Sequence, residues 1–199
     1  MVILYEFDYV ENFSEGLAVV YNEETEKYGY IDKTGKLVIP YQFYYVENFS
    51  EDLALVYGKK IGKGGYIDKT GKLVIPYQFY FADNFSEGLA RVWDEKTGKY
   101  GFIDKTGKLV IPYQFYFADN FSEGLARVKE YENMEKYIYI DKTGKMAIPC
   151  KLDYAGNFSE GLAYVHLAGV DLEAEDKGYI NKTGELVIPV SDTPLRAHE

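Results

Sequence analysis

Short runs of apolar residues alternate with polar turn residues along the whole chain. In one stretch the runs are Leu89-Ala-Arg-Val-Trp, Tyr100-Gly-Phe-Ile-Asp and Lys108-Leu-Val-Ile-Pro. Each run is rich in β-branched and aromatic residues and is bounded by Gly, Asp or Pro, which is typical of strands. No window has the sustained 3.6-residue apolar spacing of an amphipathic helix. We therefore predict an all-β fold built from groups of three short antiparallel strands.

The pattern is a tandem repeat with a period of about 36 residues. Phe-Ser-Glu-Gly, once Phe-Ser-Glu-Asp, begins at Phe13, Phe49, Phe85, Phe121 and Phe158. Asp-Lys-Thr-Gly, once Asn-Lys-Thr-Gly, begins at Asp32, Asp68, Asp104, Asp141 and Asn181. Because no shift in composition interrupts these copies, we predict a single repeat domain over 1–199. Its approximate units are 5–40, 41–76, 77–112, 113–149 and 150–189, followed by a C-terminal tail at 190–199.

The Asp-Lys-Thr-Gly segment is predicted to be a tight hairpin turn between the second and third strands of each unit. An Asp at the first turn position accepts backbone N–H groups, and a Gly at the fourth adopts positive φ in a glycine bulge. The predicted turn residues are Asp32, Gly35, Asp68, Gly71, Asp104, Gly107, Asp141, Gly144 and Gly184. Backbone geometry is sufficient to explain why this tetrapeptide recurs.

Each small sheet is predicted to be apolar on both faces. In Lys36-Leu-Val-Ile-Pro, Leu37 and Ile39 face one way and Val38 the other. One unit cannot bury both faces alone, so the units must stack on each other. Open solenoids and closed propellers both satisfy this requirement. The chain starts with part of a third strand and also ends with a complete one, which favours an open, curved β-solenoid over a closed five-bladed β-propeller.

The recurring motifs resemble those of the bacterial WG-repeat (KWG) family. The hallmark is an aromatic-Gly pair followed by Tyr/Phe-Ile-Asp, a Gly turn and an Ile-Pro strand end. It appears here as Tyr28-Gly29-Tyr30-Ile31-Asp32, Gly65-Tyr66-Ile67-Asp68, Tyr100-Gly101-Phe102-Ile103-Asp104 and Gly178-Tyr179-Ile180-Asn181. The Trp of the pair is replaced by Tyr28, Gly64, Tyr100 or Lys177, and the fourth unit has Tyr137-Ile138 without the glycine. The resemblance implies an interaction scaffold without established catalytic activity.

Composition argues against several functional classes. The 22 Lys and Arg against 32 Asp and Glu give a net charge of −10, which disfavours phosphate-backbone recognition and hence nucleic acid. One cysteine, Cys150, and two histidines, His166 and His198, offer little for metal binding or imidazole catalysis. Cys150 stands where other units have Tyr, which favours an inert thiol. We therefore expect no enzyme, no metal and no cofactor.

We expect a cytoplasmic protein without a membrane segment. The first residues lack a basic region followed by an apolar one, so no signal peptide is predicted. No apolar run approaches the roughly 18 residues that a membrane helix needs.

Differences between units indicate where a partner would bind. After Ile-Pro, Tyr41, Phe43 and Tyr45 are expected to face inward. Tyr44, Tyr80 and Tyr116 then form an outward row, with Asp8 and Asp153 at its ends. An exposed aromatic row suits a protein or a sugar. The alternative is that these tyrosines only cover a seam between units.

The loop between the first and second strands of each unit varies in sequence and charge. It begins at Tyr21, Tyr57, Trp93, Lys129 and His166 in the five units, and carries Lys59, Lys60 and Lys63 in the second. Divergent loops on a uniform scaffold commonly carry specificity. We predict a non-catalytic scaffold that binds another protein through Tyr44, Tyr80, Tyr116, Trp93 and these loops. The alternative is a carbohydrate-binding module that uses the exposed tyrosines.

Overall fold

The computed structural model describes residues 7–58, 62–130, 133–167 and 177–190. Within these ranges all regular structure is strand, and every strand pairing is antiparallel. The predicted all-β repeat fold is therefore confirmed. Lys59, Lys60, His198 and the tail beyond 190 lie outside the described residues, and so does the side chain of Cys150.

Contacts divide the chain into two compact units. The first comprises Met1–Thr97 with Phe102–Leu109, and the second Gly98–Gly101 with Val110–Glu199. The division runs through β11 (Lys99–Asp104) and separates the first residue of β12 (Leu109–Ala118) from the rest of that strand. The single domain predicted over 1–199 stays a prediction.

The first unit contains two four-stranded sheets in which neighbouring strands are consecutive in sequence. The first sheet is β1 (Tyr9–Val10), β2 (Leu17–Asn22), β3 (Lys27–Asp32) and β4 (Leu37–Phe43). The second is β5 (Tyr45–Val46), β6 (Leu53–Tyr57), β7 (Gly64–Asp68) and β8 (Leu73–Phe79). The next repeat contributes β9 (Phe81–Ala82), which pairs with β10 (Leu89–Asp94). A short leading strand thus joins the three strands predicted for each repeat.

The second unit continues the same antiparallel order from β12 onward. Its strands are β12 (Leu109–Ala118), β13 (Ala126–Glu130), β14 (Asn133–Ile140), β15 (Met146–Ala155), β16 (Leu162–Leu167), β17 (Lys177–Asn181) and β18 (Leu186–Pro189). In β12 and β15 the short leading strand is fused to the long strand before it. Taken by itself, each unit is an open, solenoid-like succession of repeats.

The strand that holds Ile-Pro does not end at the proline, contrary to expectation. In β4 it continues to Phe43, with Tyr30 opposite Ile39 and Tyr28 opposite Phe43. Three residues of β4 therefore face the single Gly29 of β3 in a bulge. Proline has no N–H to donate. Residues in a bulge are not paired with the neighbouring strand, so a proline there removes no hydrogen bond between the strands.

Apolar side chains on both faces of a sheet are buried, as the stacking argument required. On one face of the first sheet, Val19, Tyr30 and Ile39 join a core cluster with residues of the second repeat that include Phe49 and Ile67. A second cluster contains Ala18, Val20 and Ile31. Successive residues of β2 thus face two different cores, which explains why its sequence is continuously apolar.

The Asp-Lys-Thr-Gly turn has a second role that the sequence did not indicate. Asp32 Oδ1 accepts the backbone N–H of Thr34 at 2.8 Å and of Lys36 at 3.2 Å, and Gly35 has φ of 82°. In the next repeat, a Cβ added to Gly71 would lie 3.0 Å from Cγ2 of Ile39, which is fully buried. The glycine therefore serves both the turn and close packing between repeats.

This packing recurs at later junctions. A Cβ added to Gly107 would lie 2.8 Å from Cγ2 of Ile75, and one added to Gly144 would lie 2.9 Å from Cγ2 of Ile111. The isoleucines of the earlier Ile-Pro strands, Ile39, Ile75 and Ile111, thus fit against the turn glycine of the following repeat.

Phe-Ser-Glu-Gly forms a two-residue hairpin turn with an unusual glutamate. The Ser14 N–H donates to the Leu17 carbonyl at 2.8 Å, and the Leu17 N–H donates back at 3.0 Å. Glu15 has φ of 49° and Gly16 of 91°, as in a type I′ turn. A left-handed glutamate costs about 1–2 kcal/mol. Equivalent glutamates share this conformation: Glu51, Glu87, Glu123 and Glu160, with φ between 52° and 54°.

The strained glutamates connect one repeat to the next. Oε1 of Glu15 accepts the N–H of Glu51 at 2.6 Å, and its Oε2 accepts the N–H of Asp52 at 2.9 Å. The adjacent Ser14 hydroxyl donates to the Phe49 carbonyl at 2.7 Å. Lys69, from the turn of the following repeat, lies 3.1 Å from Oε2 of Glu15. We call this set of contacts the serine–glutamate clamp.

The clamp recurs in both units. In the first, Glu51 accepts the Gly88 N–H at 2.9 Å and pairs with Lys105 at 3.2 Å. In the second, Glu123 accepts the Gly161 N–H at 2.9 Å and pairs with Lys182 at 3.1 Å. The recurrence of Ser, Glu and Lys therefore has a structural cause.

We predict that Gly65→Ala destabilises the fold. Its new Cβ would lie 2.6 Å from the Ile75 carbonyl oxygen, a backbone atom of the neighbouring strand. Overpacking of this kind costs about 1–3 kcal/mol, and each kcal/mol lowers Tm by about 2–4 °C in a chain of this size. Thermal unfolding followed by circular dichroism measures it.

Gly58→Ala is the matched control, because its Cβ would meet only the Tyr77 ring at an ordinary 3.5 Å. Equal losses in the two variants would contradict the explanation by close strand approach. Ile138 occupies the position of Gly65 in the fourth repeat and is only 3% exposed, so that repeat accommodates a side chain at this place.

The clamp should make stability depend on pH. The ion pair with Lys182 and the N–H of Gly161 lower the pKa of Glu123 below its ordinary 4.5. Its contribution is therefore fully present above that value and is lost as the pH falls through the lowered pKa. We expect Glu123→Gln to lower Tm at neutral pH, by a difference that shrinks towards zero in acid.

Glu24→Gln, which removes an exposed acid outside the clamp, should leave Tm unchanged across the same pH range. A Glu123→Gln deficit that persists undiminished in acid would show that charge is not the cause.

Candidate functional site at the repeat junctions

The tyrosines predicted to form an outward row differ in exposure. Tyr80 is 46% exposed and Tyr116 is 48% exposed, whereas Tyr44 is half-buried. Tyr44 and Tyr80 belong to the first unit and Tyr116 to the second. Trp93, also predicted as a binding residue, lies half-buried on β10.

The expectation that Tyr45 faces inward was wrong, since it is 47% exposed. Strict alternation holds as far as Phe43, which is buried, but β4 ends there. The chain bends at Tyr44 and begins β5 at Tyr45. The alternation of inward and outward side chains along β4 therefore does not continue into β5. The equivalent Phe81 is also exposed, at 37%.

Tyr80, one of the predicted binding residues, contacts the variable loops of two repeats. The Lys63 ammonium lies 4.7 Å from the centroid of its ring. A hydrogen bond with the Glu95 carboxylate raises the pKa of Tyr80. Lys63 belongs to the loop of the second repeat and Glu95 to that of the third, so this tyrosine contacts both.

A pocket of about 350 Å³ lies in the first unit. It is lined by residues of two successive repeats: Tyr45, Glu47, Leu55, Tyr57, Phe81, Ala82 and Asp83. The rings of Tyr45 and Tyr57 meet edge to face, with centroids 5.7 Å apart. The lining thus combines aromatic rings with two carboxylates.

The two acids of this pocket have different partners. Glu47 accepts a hydrogen bond from the Tyr45 hydroxyl, which raises the pKa of that phenol to about 12. Tyr45 therefore remains a neutral donor at physiological pH. Asp83 instead pairs with Arg91, whose Nη2 lies 2.6 Å from Oδ2 of Asp83.

Two arginines that sequence reasoning missed occupy the same place in adjacent repeats. The Arg91 guanidinium lies 5.2 Å from the Phe81 ring centroid as well as against Asp83. In the fourth repeat Arg127 lies 5.9 Å from the Phe117 centroid and pairs with Asp119. The only sequence signal was that Asp, Phe and Arg recur together at fixed spacing in two repeats.

The acids predicted at the ends of the row have local partners. Asp8 Oδ2 accepts the N–H of Glu23 at 2.9 Å, and Asp153 pairs with Lys136. His166 is half-buried, with its ring centroid 5.2 Å from that of Tyr154.

Within the described ranges, no group of three or more His, Cys, Asp or Glu could hold a metal ion. The same part of the chain contains no helix long and apolar enough to cross a membrane.

The chain is similar to several solved structures at low sequence identity. Hsv2 from Kluyvelomyces marxianus is 11% identical, with a TM-score of 0.53 over 88% of this chain and 63% of that one. The chain thus spans less than two thirds of that structure. Virginiamycin B lyase from Staphylococcus aureus is 16% identical, with a TM-score of 0.44 over 93% of this chain and 70% of that one. These likenesses concern the fold alone.

No curated protein matches the sequence significantly. The family model of the WG containing repeat, by contrast, matches most of the chain. The matched segments are 1–24, 28–57, 65–92, 100–133, 139–169 and 178–190. Each internal segment starts at or just after the aromatic-Gly position and runs into the first strand of the next repeat. The chain therefore belongs to the WG-containing repeat family.

Proposed function

We propose that this protein is a non-catalytic repeat scaffold that binds another protein through aromatic side chains and variable loops at its repeat junctions. The observation that carries the proposal is the environment of Tyr80. This exposed ring contacts Lys63 and Glu95 from the variable loops of two successive repeats. A partner bound there would touch the uniform scaffold and its most divergent segments together.

The recurring polar residues support a scaffold over an enzyme. The Ser, Glu and Lys of the motifs are engaged in the serine–glutamate clamp, and the Asp of each turn accepts backbone N–H groups. Their repetition is accounted for by structure. Family membership agrees with this proposal, since the family is defined by a repeat and not by a catalytic motif.

A protein partner is favoured over the alternative, a glycan. Sugar rings stack on the open face of an aromatic ring, and the Lys63 ammonium already lies over the Tyr80 ring. Protein interfaces, in contrast, are enriched in tyrosines flanked by polar groups. Titration with simple glycans, followed by tyrosine fluorescence, tests the alternative directly.

The experiment is a pull-down from a lysate of the source organism with the native chain and with a Tyr44→Ser, Tyr80→Ser, Tyr116→Ser triple variant. We expect the variant to lose more than about 90% of the captured partner, since a few aromatic residues dominate interface energies. Circular dichroism establishes that both chains are folded.

The control removes a different set of apolar side chains at the same repeat spacing: Leu37→Ser, Leu73→Ser and Leu109→Ser. These leucines are 36–38% exposed and lie in the first three repeats, each seven residues before one of the tyrosines. Capture that is lost equally in both triple variants, or retained in both, would contradict a role for the tyrosines.

A further inference from the structure

The third and fourth repeats each hold an arginine in a slot between a carboxylate and aromatic side chains, Phe81 for Arg91 and both Phe117 and Tyr137 for Arg127. In the third repeat, Nε and Nη2 of Arg91 lie 2.7 Å and 2.6 Å from Oδ2 of Asp83, and the guanidinium faces Phe81. The Arg91 side chain is only 15% exposed. A guanidinium suits this slot because it pairs with a carboxylate and stacks on an aromatic face at once.

The second repeat keeps the ring and the acid but lacks the arginine. Tyr45 occupies the position of Phe81, Glu47 that of Asp83, and Leu55 that of Arg91. These three residues line the 350 Å³ pocket. The pocket therefore lies where the chain's own guanidinium would be expected, and its aromatic and acidic walls remain.

Among the described residues, no cation pairs with the Glu47 carboxylate. The Tyr45 hydroxyl donates one hydrogen bond to the carboxylate but carries no charge. In the described part of the chain no Lys or Arg forms an ion pair with Glu47, and the second acid of the pocket, Asp83, is already paired with Arg91. A cation that enters the pocket would thus meet the Glu47 carboxylate beside exposed aromatic rings.

We propose that this pocket binds an arginine side chain of a partner protein, which supplies the guanidinium that Arg91 and Arg127 supply in their own repeats. The inference rests on the proposed function and names the partner's chemistry. The guanidinium would stack on Tyr45 and donate to Glu47. The first repeat has a related site of about 260 Å³, whose lining includes Tyr9 and Glu11.

The test uses N-acetyl-arginine methylamide as the probe and ¹H–¹⁵N NMR of the full chain as the readout. We expect saturable shifts confined to the amides of Tyr45, Glu47 and neighbouring residues, with a Kd in the millimolar range for this single side chain. The citrulline analogue has nearly the same shape without the charge and should cause no such shifts. The lysine analogue should bind more weakly, because an ammonium lacks the planar fork.

Two variants locate the site. Leu55→Arg places a guanidinium in the slot, so the probe should no longer bind. Glu47→Gln removes the charge and should weaken binding at least about tenfold, the change that 1.4 kcal/mol produces. Glu24→Gln makes the same change of net charge at an exposed acid elsewhere and should bind like the native chain.

The proposal is overturned by equal shifts with the citrulline analogue, by no shifts at all, or by unchanged binding in Glu47→Gln. Should Leu55→Arg fail to fold, Glu47→Gln decides alone. Pull-downs separate this inference from the proposed function. A partner captured equally by the native, Leu55→Arg and Glu47→Gln chains would refute the arginine site and leave the scaffold standing.

Discussion

Every repeat in this protein depends on its neighbour, because a thin β-sheet with two apolar faces cannot bury both by itself. The serine–glutamate clamp fixes how neighbours meet: Ser14 and Glu15 bond to the backbone of the next repeat, and Lys69 closes the ion pair. Glutamates hold left-handed backbone conformations at these turns. Such strain persists where surrounding contacts determine the conformation, and here the contacts come from another repeat.

Because the repeats must pack on each other, the residues at the packing contacts recur in every repeat, whereas the residues that carry specificity differ between repeats. Ile39 and Gly71 must fit together at their junction, and Ile75 and Gly107 at the next, so neither position can vary freely. The positions of Leu55 and Arg91 face a small slot at the junction and differ between repeats. Function on such a scaffold arises where one repeat departs from the others.

The sequence was sufficient to predict the strands, the period, the Asp-Lys-Thr-Gly turn geometry and the burial of both faces. These features depend on local propensity and on the two-residue strand period. The exposure of Tyr45 could not be predicted, because the bend at Tyr44 interrupts the alternation of inward and outward side chains. That bend depends on where β5 pairs with the next strand. The pairing of Arg91, on β10, with Asp83, directly after β9, depends on how these two strands align, which the sequence alone does not show. The left-handed Glu15 was missed because a glutamate is a rare choice there and is selected by a contact 36 residues away.

The clamp contacts also form in an order that follows the synthesis of the chain. The carboxylate of Glu15 finds its partners at Glu51, Asp52 and Lys69, all of which lie later in the sequence. During synthesis on the ribosome, the contacts of the Glu15 carboxylate can form only after the following repeat has emerged. Each repeat therefore gains its clamp contacts only when the next repeat has been synthesised. A ribosome that pauses within one repeat leaves the preceding repeat without these hydrogen bonds and this ion pair.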